Sequence, residues 1–444
     1  MSSPSPVFSV RRQAPQLIEP AVAQTPRELK HLSDIDGLWR FNTPIILFYK
    51  NNPSMKGKDP VIVIREALGR ALVHYYPLAG RVREGPNKKL MVDCTGQGIL
   101  FVEAEANITL EQLGDSIYPP CGFFDEFLYN VSASEGILNS PLLLFQVTRL
   151  ACGGFIVAIS FNHTMCDGPG IAQFLNAVAE IACGKQAPSI LPIWNRELFN
   201  ARDPPCKTIN LRKYEDATHN SQNVGVTNST NMSCKSFFFY PREFKALRNH
   251  LPPHLKNCTT RFELLTACLW KCRTAALGLK PDDLVLVSFP INSRGKLQNM
   301  HVPLGYYGNA FVLAAVSSMV NNLCDNPLGY VVGLVKEAKA QMSEEYAKSS
   351  VDRMVIQGPT MHTTFERMLN ITLADNTHSG FDEVDFGWGK PVYGGIPWGQ
   401  LGSSTYNRCN KNGMEGVLVP ICLPSSVMER FQKELKIMTQ RLTS

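Results

Sequence analysis

The chain has 444 residues, 44% of them apolar and 18% charged, with 32 glycines and 30 prolines. That balance excludes a disordered chain and leaves room for two large folded domains. Its 44 basic and 38 acidic residues give a formal charge of +6, spread along the sequence with no basic block, which argues against nucleic-acid binding.

No apolar run reaches the ~18 residues of a membrane helix. The opening MSSPSPVFSVRRQAP lacks the apolar core of an export signal and the closing QRLTS matches no anchor or peroxisomal address, so a cytoplasmic protein is expected. Thirteen cysteines at irregular spacing, with no paired CxxC, suggest neither a disulfide framework nor a zinc site, and most are expected to be reduced, buried thiols.

In chain order, Val61, Ile64, Leu68, Ala71 and Leu72 share one helical face, and the turn Pro77–Arg81 ends that helix before a strand in KLMVDCTG. Gly153–Asn162, GGFIVAISFN, fits a buried strand that delivers His163 at its end. Residues 164–170 must break the strand, and Ile171, Phe174, Leu175, Val178 and Ile181 then mark a helix with one apolar face. From about Asn200 to Cys234 the chain is rich in Pro, Asn, Ser and Thr and loses its periodicity, which reads as a crossover between two halves.

Beyond it, Phe262, Leu265, Leu269 and Cys272 form a helical stripe, and Val331, Leu334, Val335, Ala338 and Met342 form another. The runs DLVLVSFPIN, YYGNAFVLAAV and EGVLVPICL read as strands. Ser426 and Glu429 make a capping-box pattern for a closing helix that carries Met428, Phe431, Leu435 and Met438. The alternation predicts an α/β protein of mixed sheets with flanking helices.

His163 carries the chemistry of the first half. A strand-to-loop corner presents a side chain to a cleft, and imidazole is the side chain best suited to accept a proton near neutral pH. The local pattern alone is equally compatible with a satisfied core histidine. Asp167 either orients that ring or points away toward a cation, for which Arg294 in SFPINSRGK is the preferred partner. No GxSxG elbow, glycine-rich phosphate loop or HExxH is present, so covalent catalysis through Ser or Cys, nucleotide chemistry and metal chemistry lose support. The run Asp385–Lys390 with Pro391 combines two glycines and two aromatics in what reads as a tight loop, braced by the Asp385 carboxylate.

His163-Thr164-Met165-Cys166-Asp167 and Asp385-Phe386-Gly387-Trp388-Gly389 together resemble HxxxD and DFGWG, the two signatures of the plant BAHD acyl-CoA-dependent acyltransferases. YYPLAGR at Tyr75–Arg81, LLTACLWKCRTAA at Leu264–Ala276 and LGYYGNAF at Leu304–Phe311 also resemble family segments, so the resemblance covers essentially the whole chain. It implies two chloramphenicol-acetyltransferase-like domains joined by a long crossover loop: 1–199 with HxxxD, a linker over 200–233, and 234–444 with DFGWG. A solvent channel would pass between them, admitting acyl-CoA from one face and the acceptor from the other.

By that resemblance the catalytic residues are His163 and Asp385. His163 is the general base that deprotonates the acceptor hydroxyl for direct attack on the thioester, with no acyl-enzyme; Asp385 acts with Gly387 and Trp388 by holding a loop away from the transfer itself. Asp167 would pair with Arg294 and keep the His163 loop in place. Thr260 and Ser288 are the candidate contacts for CoA, while Lys271 and Arg273 are equally readable as solvated helix charges. The resemblance implies acyl-CoA as co-substrate and no metal or resident cofactor. The partners it implies are small molecules only, without membrane or nucleic acid, and the protein a monomer.

Within the family, FSVRRQAPQLIEPA, KLMVDCTGQGILFVEA and NPLGY look most like alcohol acyltransferases of ester formation, especially benzyl alcohol O-benzoyltransferases, which implies benzoyl-CoA as donor. Gly168 where Ala is commoner, SFPINSRGK, and the run from Gly358 to Asn376 depart from that subgroup. They suggest as an alternative a bulky alkaloid or other specialised-metabolite secondary alcohol. From a different class, the remaining reading is a catalytically silent module that binds acyl-CoA or a small ligand.

Overall fold

The computed structural model describes residues 7–129, 136–206, 208, 231–295, 301–357, 368–411 and 413–440. Most of the expected crossover, residues 358–367 of the unusual run and Lys296 of SFPINSRGK lie outside the described residues. The chain forms two units: residues 1–201, 302–310 and 378–397 make the first, and residues 202–301, 311–377 and 398–444 the second. The linear division expected at 199 and 234 differs from this grouping, because the segments around Asn309 and Asp385 fold with the N-terminal half.

In the first unit the apolar run becomes the strand Phe155–Asn162, buried almost throughout. It can be so apolar because it has a partner on each edge: Leu143–Leu150 and Asn42–Tyr49 both pair with it antiparallel. Ile99–Ala106 adds parallel to Leu143–Leu150, and Tyr393–Gly395 adds antiparallel to Asn42–Tyr49. The sheet is therefore mixed, as the alternation predicted. Asp59 caps the helix Pro60–His74 by accepting from the Val61 N–H, and Pro60 sits where no intrahelical donor is needed. Its face of Val61, Ile64, Leu68, Ala71 and Leu72 is buried, in one core with Ile171, Phe174, Leu175 and Val178 of the helix Gly168–Ala182.

The second unit holds a six-stranded mixed sheet in the order Met232–Phe239, Met414–Pro424, Ser403–Lys411, Asn370–Asp375, Leu284–Asn292, Phe311–Met319. Leu264, Leu265, Leu269, Trp270 and Cys272 of the helix Arg261–Leu277 fill its core, together with Val331, Val332 and Val335 of Leu328–Ala340 and Phe431 of Ser425–Thr439. The last helix corrects the expected capping box. It begins at Ser425 directly from the preceding strand, Ser426 lies within its first turn, and the Ser425 hydroxyl donates to the Asn231 carbonyl.

Lys271 and Arg273 are not solvated charges. The Lys271 ammonium donates to the carbonyls of Leu323, Cys324 and Asn326, at 2.9, 2.5 and 2.8 Å, and Arg273 is buried. Cys234 and Cys422 face one another in the register of their antiparallel strands and form a disulfide, a pair that 188 residues of separation hid in the sequence. Among the other eleven cysteines six are buried, while Cys152, Cys183, Cys206 and Cys258 are exposed. Among the described residues no helix is long and apolar enough to cross a membrane.

Candidate active site

The strand Phe155–Asn162 ends against Asn42, the first residue of its neighbour, and one more ladder bond follows it, from the His163 N–H to the Phe41 carbonyl at 2.9 Å. The chain then turns because Asn162 competes for the backbone: its side-chain oxygen accepts from the Thr164 N–H at 3.1 Å and from the Thr164 hydroxyl at 2.7 Å. The imidazole of His163 is left at the sheet end among three aromatic rings, Trp39, Phe41 and Phe161, with centroids 5.4, 5.2 and 5.6 Å away.

Asp167 closes the turn and opens the helix Gly168–Ala182. Its Oδ1 accepts from the Gly170 N–H at 2.9 Å, the N-cap bond of that helix, and its Oδ2 accepts from the Ala310 N–H at 3.0 Å. Position 170 admits only glycine, because a Cβ there would sit 2.0 Å from the Tyr307 carbonyl oxygen. The same carboxylate thus starts a helix and docks the 302–310 segment beside it.

A second buried network lies under the loop, and nothing in the local sequence announced it. Asp36, fully buried, accepts from the Ser33 N–H, from Nη1 of buried Arg196 at 2.9 Å, and from both N–H groups of Asn309 at 3.2 and 2.7 Å. The other ends of these donors grip the loop: Asn309 Nδ2 donates to the His163 carbonyl at 2.9 Å, and Arg196 Nη2 donates to the Met165 carbonyl at 2.7 Å. The Arg196 guanidinium also lies 4.4 Å from the Trp194 ring and 5.0 Å from that of Tyr307. Alternate carbonyls of the HxxxD segment are therefore held by side chains whose charge is balanced inside the unit.

Burial holds the pKa of His163 below that of an ordinary histidine, against its own backbone, the charges of Asp167 and Asp36 and the Asn309 side chain, which all raise it. At neutral pH the ring is uncharged, with a lone pair to accept a proton.

The other residues expected at the site have local partners of their own. Asp385 is not beside His163. The Tyr49 hydroxyl donates to the Val384 carbonyl, and Trp388 meets Phe155 edge-on at 5.3 Å, so the DFGWG loop sits at the far end of the same strand, about 26 Å along it from His163 at ~3.3 Å per residue. Asp385 Oδ1 accepts from the Gly387 and Gly389 N–H groups, both at 2.8 Å, and Gly387 at φ +106° takes a conformation that L side chains rarely adopt. In that geometry Asp385 braces its own loop.

Asp385→Ala is therefore expected to lower stability by about 1–3 kcal/mol, the cost of two N–H groups left without an acceptor. Thermal melts should show the loss, while turnover per folded molecule stays within severalfold of wild type. A hundredfold drop in kcat at unchanged Tm would instead put Asp385 in the chemistry.

Arg294 lies in the second unit, where its N–H and Nη1 reach Asn292 Oδ1 at 3.0 and 3.4 Å. Thr260 caps the helix Arg261–Leu277 in a capping box: its hydroxyl accepts from the Glu263 N–H, and Glu263 accepts from the Thr260 N–H. Buried Ser288 shares a hydrogen bond of 2.8 Å with Thr372 on the neighbouring parallel strand. Both hydroxyls that are candidates for CoA thus have a hydrogen-bond partner within the second unit.

Residues 8–438 match the model of the Transferase family. Alcohol acyl transferase 1 allele GSa of Malus domestica is 53% identical over 441 residues, covering 98% of this chain and 95% of the relative. The chain belongs to the BAHD acyltransferase family. Alcohol acyltransferase 16 of Actinidia chinensis var. chinensis is another similar BAHD relative, 51% identical over 443 residues, with 98% of this chain and 95% of the relative covered.

Among solved structures, vinorine synthase matches with a TM-score of 0.74 at 21% identity, over 97% of this chain and 99% of that one. The TRI101 of F. sporotrichioides, complexed with coenzyme A and T-2, matches with a TM-score of 0.66 at 18% identity, over 91% and 97%. Both units are thus mixed α/β domains of the chloramphenicol-acetyltransferase-like fold expected of a BAHD enzyme.

Proposed function

We propose that this BAHD enzyme transfers the benzoyl group of benzoyl-CoA to an alcohol, with His163 as the general base. The observation that carries the reading is the uncharged imidazole at the rigid end of the strand Phe155–Asn162, its carbonyl and that of Met165 clamped from below. As a member of the family the chain is an acyl-CoA:alcohol O-acyltransferase that forms an ester. The names of the two plant relatives support an alcohol acceptor, and the coenzyme A bound to the fungal fold relative supports acyl-CoA as the second substrate.

In the reaction the acceptor hydroxyl gives its proton to His163 as its oxygen bonds to the thioester carbonyl carbon. The carbonyl π-electrons move onto oxygen, return as the C–S bond breaks, and the departing thiolate takes the proton from the imidazolium to leave as free CoA. No covalent bond to the protein forms at any stage. Asp167 belongs to this reading as support of the His163 loop, and the cytoplasm is the proposed compartment.

The pH dependence follows from the direction of the His163 shift. The base works only when neutral, so kcat/KM falls as pH drops through its pKa, and burial places that midpoint below the ~6.5 of ordinary histidine. A midpoint at or above pH 7 contradicts the burial argument. The donor is tested by thiol release from benzoyl-CoA, acetyl-CoA and a branched short acyl-CoA, each with benzyl alcohol. The highest kcat/KM is expected with benzoyl-CoA, and a clear preference for either other donor refutes the benzoyl assignment.

A further inference from the structure

Two buried polar atoms at the proposed base, Nδ1 of His163 and Oδ1 of Asn309, make no hydrogen bond of ordinary geometry to any described residue, although the ring is acted on by its own backbone and by the Asn309 side chain. One is a ring nitrogen that carries a proton in one tautomer, and the other is an acceptor. They belong to side chains already tied together, because Asn309 Nδ2 lies 2.9 Å from the carbonyl oxygen of His163 itself.

Which end of the Asn309 amide faces where is decided by chemistry. An ionised carboxylate and a backbone carbonyl only accept, so the NH₂ group must face Asp36 and the His163 carbonyl, at 2.7 and 2.9 Å. The reversed amide would set its oxygen against both. The carbonyl end is thereby left over, in a place with no other donor, and an unsatisfied buried acceptor of this kind costs about 1–3 kcal/mol. Asp36 cannot turn to serve another group, since it is locked by Arg196 Nη1 and the Ser33 N–H.

We propose that Asn309 is a positioning residue of the reaction. Its side-chain carbonyl takes the Nδ1 proton of His163 and so holds the imidazole in the tautomer whose Nε2 bears the lone pair for the acceptor hydroxyl. Asp36 and Arg196 fix the amide end that makes this possible. The inference rests on His163 being the general base and deepens that reading.

The bond strengthens as the imidazolium forms, which stabilises the charge without placing a second carboxylate against the ring. The charged groups acting on the ring are Asp167 from its own loop and Asp36 from below, and Arg196 neutralises the latter. The Asn309 side chain adds to both in favouring the protonated ring. None of this was readable locally, although Asn309 stands within the LGYYGNAF segment that resembled the family.

The test is the full-length enzyme with benzoyl-CoA or acetyl-CoA and benzyl alcohol. Asn309→Ala is expected to lower kcat at least tenfold, inside the ~10²–10⁴ that a general base supplies, with both KM values unchanged. Its acid limb should move to lower pH, because a contact that favours the imidazolium is gone. A variant that loses thermal stability but keeps the wild-type limb overturns the proposal and leaves Asn309 structural.

The second arm needs no variant at position 309, so it stands even where Asn309→Ala folds poorly. ¹⁵N-histidine NMR of the wild type above pH 8, with His163→Ala to assign the signal, should show Nδ1 protonated and Nε2 bare. The opposite tautomer, or an even mixture, also overturns it. Near-normal turnover of His163→Ala is a separate outcome: it refutes the general base itself, whatever the NMR shows.

Discussion

His163→Ala is expected to lower kcat by about 10²–10⁴-fold, the range a positioned general base contributes, while the protein stays folded. The backbone bonds of the residue do not depend on its ring: the N–H still donates to the Phe41 carbonyl and the carbonyl still accepts from Asn309. The ring leaves a gap among Trp39, Phe41 and Phe161, so a loss of about 1–3 kcal/mol is expected on truncation. Steady-state thiol release beside a thermal melt separates the two effects. Turnover within tenfold of wild type would refute the role of His163.

Arg196→Met is expected to cause the largest loss of stability, about 3–5 kcal/mol, the cost of removing one partner of a buried ion pair. The Arg196 side chain is 2% exposed and that of Asp36 0%, so no water replaces the guanidinium. The Met165 carbonyl loses its donor at the same time, and the site is tight enough that a Cβ on Gly308 would lie 2.2 Å from Arg196 Nη1. Pairing Arg196→Met with Asp36→Asn should recover part of the loss, because the uncompensated carboxylate is gone. Urea titrations of the two single variants and the double variant read this directly. An Arg196→Met protein within 1 kcal/mol of wild type would show that the pair does not brace the loop.

The sequence displayed what repeats at short range. The apolar faces at Val61–Leu72 and Ile171–Ile181 and the run into His163 became the expected helices and strand, because burial periodicity is written residue by residue. Ser426, expected as the cap, stands two residues past the observed cap Pro424, since the strand Met414–Pro424 runs straight into the helix. Asp36, Arg196 and Asn309 escaped because each is an unremarkable polar residue in its own segment, and Asn309 meets Asp36 across 273 positions. Asp385 reads as a loop brace from its own segment, because the two glycines it holds lie two and four residues away. Signature residues flag a constraint, and here that constraint is a pair of loop N–H groups at the opposite end of the strand from the base.

The most direct test of the account is a rapid-quench single turnover with enzyme in excess over benzoyl-CoA, scoring free thiol and benzoyl ester together. Without alcohol no thiol should appear on the time scale of turnover, and with alcohol one ester should form for each thiol released. A burst of thiol stoichiometric with benzoyl-CoA in the absence of any alcohol, with the benzoyl group retained on the protein, would mean a covalent intermediate and contradict direct attack assisted by His163.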